Sequence, residues 1–219
     1  MPSPPSKKPS KRPPSATPLT RDRIATAALH LIDAHGLAEF STRKLGADLG
    51  VEAMAFYNHF PSKEAILDAV VERMIAKVTV PPPEAGDWME RARVFARSFR
   101  ALARIHPRAF PLVATRRFNA PGTLGLLEAA YGTFLGAGIE PRMAVKIYRT
   151  LGNFLAGTAL NEISVAAYAA SATAQAPDPE HPNLAAVSPY LAPAYFDEVF
   201  EFGLEVVLQG CARLAAAQR

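Results

Sequence analysis

Apolar residues recur at spacings of three and four along almost the whole chain from Thr20 onward, and no stretch alternates apolar and polar positions long enough to make a strand. The fold class this predicts is all-α. Thr20 is placed to cap a first helix and Gly36 to end it, Ser41 precedes a second, and Ser62 after Pro61 opens a fourth that runs to about position 78. The PPPEAGD segment at 81–87 breaks the pattern. A long helix is then expected over 88–106, stopped by His106-Pro107, followed by shorter ones at 108–116 and 122–136. Gly138 closes the latter, Pro141 opens a long helix to about position 170, residues 171–193 read as a Pro-rich loop with at most a turn of helix, and a last helix covers 194–216.

Within this pattern, residues 42–63 (TRKLGADLGVEAMAFYNHFPSK) have the spacing of two short helices joined by a tight turn. Leu45, Leu49, Val51 and Phe56 fall where the two would pack. Gly50 sits where the chain must leave the first helix with positive φ, and Gly46 offers the small surface that lets the second approach closely. In a helix-turn-helix the second helix enters the major groove of DNA, so its outward residues are candidate readers: Ala53, Met54, Ala55, Tyr57, Asn58 and His59. Asn58 suits a base edge or a phosphate, Tyr57 and His59 suit phosphate oxygens, and the methyl groups of Ala53 and Ala55 suit thymine methyls. Arg43, at the start of the preceding helix, carries a two-pronged donor matched to guanine. Lys63, beside Ser62 at a helix N-terminus, is placed for a phosphate. A helix–glycine–helix pattern alone serves plain packing equally well; the Phe-Tyr-Asn-His-Phe run argues for more.

These motifs resemble the tetracycline-repressor (TetR) family of bacterial transcription regulators. The first amphipathic helix (TRDRIATAALHLIDAHG), the STRKLGADLGV segment, the helix ending in FYNHF and the following SKEAILDAV occur in that family's order and spacing, over residues 20 to about 70, with a looser likeness beyond. The resemblance implies an N-terminal three-helix helix-turn-helix domain at 20–66 and a larger helical ligand-binding and dimerisation domain at 67–219, after a basic tail at 1–19. It implies DNA contacts at Thr42, Arg43, Tyr57, His59 and Lys63, and a homodimer whose last two long helices pair across a twofold axis. Phe154, Leu155, Ala159, Phe196, Phe200, Leu204 and Val207 supply apolar side chains there, each equally serviceable in an intramolecular core.

In the C-terminal half the likeness is to the ligand-binding domain of the tetracycline repressors. Phe99 and Arg116 fall on drug-pocket positions and match. Leu112, Phe95 and Thr79 replace a metal-binding histidine, a pocket asparagine and a pocket histidine. A magnesium-chelated drug needs the imidazole this chain lacks, so tetracycline is not the expected inducer. A pocket lined by Phe95, Phe99, Leu112, Phe118, Leu127 and Phe154, with Arg116 or Asn153 orienting one polar group, fits a largely apolar or aromatic molecule.

Charge and composition narrow this further. The net charge is +4, but Lys7, Lys8, Lys11 and Arg12 in the tail account for all of it, and the rest of the chain balances. Any basic footprint must therefore come from local placement of Arg21, Arg23, Arg43, Lys44 and Lys63. The tail itself, rich in Pro, Ser and Lys, is expected to be disordered, either an arm touching DNA phosphates or a solvated extension. No apolar run is long enough for a bilayer, no signal peptide is visible, and the expected location is the cytoplasm. Cys211, alone in an apolar helix, reads as a buried inert thiol. The five histidines at 30, 35, 59, 106 and 181 are scattered, and phosphate-loop, nucleophile-elbow, CxxC and HExxH motifs are missing, so no catalytic residue, metal or cofactor is expected.

The sequence thus predicts a homodimeric, non-enzymatic transcriptional regulator, a repressor that leaves a palindromic double-stranded DNA operator when a small, largely apolar effector occupies the helical domain. Two other readings stay open: an all-α small-molecule-binding protein without specific DNA reading, and a regulator controlled by a protein partner.

Overall fold

The computed structural model describes residues 18–116, 121–171 and 180–217, and among them there is helix and no strand. All but the last two residues of the tail, and Phe118, lie outside this set. The chain divides into two compact units, Met1–Val70 and Val71–Arg219.

In the first unit, α1 (Arg21–His35) is capped by Thr20, whose Oγ accepts from the Arg23 N–H at 3.2 Å, and ends at Gly36 with φ 85°. α2 (Thr42–Leu49) is capped in the same way by Ser41 and leaves through Gly50 in the left-handed region, φ 69° and ψ 27°. A Cβ on Gly46 would stand 2.8 Å from the Val51 carbonyl oxygen, so only glycine admits the returning chain there. The segment after the turn departs from expectation: Ala53–Asn58 winds as a 3-10 helix rather than an α-helix. Six residues tied at one end to the α2 turn and at the other to Pro61 leave little length for α-helical hydrogen bonds, and the tighter winding closes them locally. Phe56 and Phe60, 0% and 1% exposed, pin it to a core of Ile24, Leu29, Ile32, Phe40, Leu45 and Ile66.

α3 (Lys63–Ile75) follows, with Ser62 Oγ accepting from Ala65 N–H. It stops three residues short of the expected end, and turn-type bonds carry the chain to Val78.

In the second unit, α4 (Trp88–Ile105) starts from a reciprocal capping box between Asp87 and Glu90. α5 (Phe110–Arg116) begins two residues later than expected, because the His106 carbonyl accepts from both Ala109 and Phe110 and forms a turn first. α6 (Leu124–Leu135) and the long α7 (Pro141–Ser171) follow; within 171–193 lies α8 (Pro182–Val187), and α9 (Phe196–Ala216) ends the unit. α7 is the central element and packs on α4, α5, α6 and α9. Cys211 is buried beside Phe134, Ile147 and Met143, and burial pushes its thiol pKa up, away from reactivity.

Of the seven apolar residues serviceable either between subunits or in an intramolecular core, burial decides four. Leu155, Ala159, Phe200 and Leu204 are at most 2% exposed within one chain, so they are intramolecular core. The outward stripe of α9 is Val199, Phe202 and Val206, which are 59%, 72% and 56% exposed.

Candidate DNA-reading surface and ligand cavity

On the first unit, the buried Phe56 and Phe60 hold the 3-10 segment so that the intervening side chains face out. Met54 is 70% and Tyr57 46% exposed, Asn58 is exposed, and Ala53, Ala55 and His59 are half-buried. Arg43 is exposed on the first turn of α2 and has no ion pair among the described residues, beside the half-buried Thr42. The surface thus gathers a guanidinium fork, a phenol, an amide and a thioether in a short stretch of chain, a donor-rich, conformationally restrained set of the kind that addresses phosphates and base edges.

The other cations are partly committed. Arg21 donates to the His59 carbonyl and its guanidinium lies 4.2 Å over the Phe60 ring, which fastens the end of the 3-10 segment to α1. Lys63 Nζ donates to the Phe40 carbonyl at 3.1 Å. Both bonds leave the positive charge in place. Lys44 differs, because it pairs with Glu39 and holds that carboxyl below its ordinary pKa, so its charge is neutralised locally.

On the second unit, a cavity of about 40 Å³ lies between α4, α6 and α7 and the chain leaving α3. Phe95, Phe99 and Leu127 line it, together with Ile75, Phe134 and Leu151. Leu112, Arg116, Asn153 and Phe154 are not brought to it. Leu112 is buried at 2% exposure, Asn153 is exposed, and Phe154 stacks on Phe200 at 6.0 Å under Gly203. Thr79 is likewise away from the lining, with its N–H on Ser98 Oγ. Drug-sized ligands occupy pockets of roughly 300–1,000 Å³, and this cavity is smaller than that. Phe95 is half-buried where Phe99 is buried, and the two rings stack at 6.2 Å.

Two features escaped sequence reasoning. Arg91 lines the cavity at 8% exposure. Further along α4, Arg93, Arg97, Arg100 and Arg104 form a stripe that meets carboxylates: Arg93 with Glu205, Arg97 with Glu201, Arg100 with Glu162 and Asp197, and Arg104 with Asp197. The spacing of arginines at three and four, matched by acids every four residues on α9, was the available signal. Hydrogen bonds from Gln209 and Arg93 to Glu205, from Arg97 to Glu201 and from Arg100 to Asp197 hold these three carboxyls below their ordinary pKa. Among the described residues no cluster of His, Cys, Asp and Glu is arranged to hold a metal, and no helix is long and apolar enough to cross a membrane.

Residues 24–70 match the family model described as bacterial regulatory proteins, tetR family, and residues 80–214 match the tetracyclin repressor-like C-terminal domain. The chain is 33% identical over 202 residues to the tetracycline repressor protein class A from transposon 1721 of Escherichia coli, covering 90% of this chain and 92% of that protein. An HTH-type transcriptional regulator of Saccharopolyspora erythraea is 28% identical over 140 residues, 64% of this chain and 59% of that longer protein. The crystal structure of the Streptomyces coelicolor TetR family protein ActR in complex with (S)-DNPA superposes with a TM-score of 0.75 at 28% identity, covering 91% of this chain and all of that one.

Proposed function

This chain belongs to the tetR family of bacterial regulatory proteins, and from that membership we propose that it is a dimeric repressor whose palindromic operator is released when a small, largely apolar ligand enters the second unit. Residues 20–66 read DNA and 67–219 bind ligand and dimerise. Thr42, Arg43, Ala53, Met54, Ala55, Tyr57, Asn58, His59 and Lys63 form the contact surface. The observation that carries the reading is the pinning of the 3-10 segment by Phe56 and Phe60, which turns Met54, Tyr57 and Asn58 outward.

The exposed stripe Val199, Phe202 and Val206 supports dimerisation, because a soluble monomer gains nothing from an aligned apolar face on its last helix. Two copies then present two reading segments, which doubles the contacts to a twofold-symmetric site. Ile75, the last residue of α3, lines the cavity, while the first residue of the same helix is Lys63. A ligand that widens the cavity displaces α3 and alters the spacing of the two reading segments. For release, it must favour the non-binding spacing by a few kcal/mol, since tight binding without that preference shifts nothing.

Selection of genomic fragments by the purified protein, followed by footprinting near physiological salt, tests this. Protection of a short palindrome is expected. Salt-sensitive retention without sequence preference would sink the operator-reading part and leave a ligand-binding protein with a basic tail.

A further inference from the structure

We propose that the effector is an anion, an apolar or aromatic body carrying one carboxylate, and that Arg91 is the residue that selects it. The inference rests on the cavity being the effector site.

Five arginines lie on α4 between Arg91 and Arg104, and four of them meet a glutamate or aspartate. Arg91 is the exception. It is 8% exposed, lines a cavity whose other walls are mainly aliphatic and aromatic, and makes one hydrogen bond to the described chain, from Nε to the Pro81 carbonyl at 3.1 Å. No carboxylate pairs with it among the described residues. A guanidinium cannot discharge by losing its proton, and its fork carries five N–H donors, so a backbone carbonyl on Nε leaves the remaining donors without an acceptor from the chain. The Nη groups of Arg91 are not among the sealed, partnerless polar atoms of the described residues, so they are open to an incoming acceptor, and a bidentate carboxylate is the group that best matches the fork.

The remaining wall chemistry agrees. Thr133 spends its hydroxyl on the Ala129 carbonyl at 3.1 Å, the two other hydroxyl-bearing lining residues, Thr123 and Tyr148, already interact within the chain, and Phe95, Phe99, Leu127, Phe134 and Leu151 are apolar. One anionic end and an apolar remainder therefore suit the site, whereas a polyanion or a sugar does not. The Pro81 bond has a second meaning. Pro81 lies in the segment joining α3 to α4, so a carboxylate drawing on Arg91 acts on the residue that holds that segment in place.

The test uses the full chain and two acid–amide pairs, 2-naphthoate with 2-naphthamide and decanoate with decanamide, titrated by calorimetry into wild type, Arg91→Gln and Arg91→Lys. Wild type is expected to prefer at least one acid over its amide by about ten- to a hundredfold, the worth of a charged hydrogen bond. Arg91→Gln should abolish that preference by lowering acid affinity far more than amide affinity, and Arg91→Lys should retain part of it. If Arg91 only props the Pro81 segment, both substitutions weaken acid and amide alike, which overturns the proposal. Equal binding of acid and amide by wild type, or binding of neither pair, overturns it as well. Operator retention measured without ligand separates this from the regulator reading: retention of a palindrome with no acid preference removes only the anion, and acid preference without operator selection removes only the regulator.

Discussion

Arg100 on α4 and Glu162 on α7 form an ion pair almost out of water, Nη2 to Oε1 at 2.8 Å with side chains 8% and 11% exposed. The same guanidinium reaches Asp197 on α9 at 2.8 Å and lies 4.4 Å over the Phe200 ring. One side chain therefore ties α4, α7 and α9 together.

Removing one partner of such a pair strands the other. Glu162→Ala should destabilise the chain by about 3–5 kcal/mol in urea denaturation, while a double change to Arg100→Met and Glu162→Leu should cost far less because no charge is left behind. A Glu162→Ala midpoint indistinguishable from wild type would show that Asp197 alone satisfies Arg100.

Acid should loosen the α4–α9 seam. Asp197, Glu201 and Glu205 are held below their ordinary pKa by hydrogen bonds, chiefly from Arg100, Arg97 and Gln209 respectively. A depressed folded pKa contributes stability that is present above the unfolded value of about 4 and is lost as pH falls through the folded value. Stability should thus decline below about pH 4 and be flat from these groups above it. Because most of these pairs are solvent-exposed, the slope should flatten in high salt. A Glu201→Gln, Glu205→Gln double variant with the same acid slope as wild type would remove this account.

Tyr57→Ala should weaken operator binding without changing the thermal midpoint, since the ring is half exposed and only its neighbour Phe56 is core. Arg43→Ala should relax discrimination at one base position by about 1–3 kcal/mol, the worth of a bidentate contact. Competition binding against single-base operator variants reads both, and unchanged affinity in the two variants would eliminate this reading face.

Phe202→Glu should dissociate the dimer in sedimentation at micromolar concentration and leave the helical content intact, because the side chain is 72% exposed in one chain. Phe200→Glu, by contrast, should unfold the unit, because that residue is 1% exposed. A Phe202→Glu protein that remains dimeric would place the interface on another face.

Much of the secondary structure was legible because its causes are local. Thr20, Ser41 and Asp87 bond to N–H groups two or three residues on, and Gly50 answers a backbone angle at its own position, so the residues that specify these ends are the ones that form them. Phe95, Phe99 and Leu127 were legible as lining residues only through the likeness to the tetracycline repressors, which named Leu112 and Phe154 as well although neither lines the cavity.

What the chain alone left open was decided by which faces met. Apolar spacing on α9 marks a helix with more than one apolar stripe, and only packing against α7 put Phe200 and Leu204 inside and left Phe202 and Val206 outside. Arg93 and Glu205 are 112 residues apart, Arg100 and Glu162 are 62 apart, and no local rule joins them. The 3-10 winding of Ala53–Asn58 and the burial of Arg91 without a carboxylate among the described residues belong to the same class. By itself the sequence determined where helices start, stop and turn, because those are nearest-neighbour energies; the tertiary structure decided which charges are answered and which apolar face stays bare, because both depend on side chains brought together from distant positions.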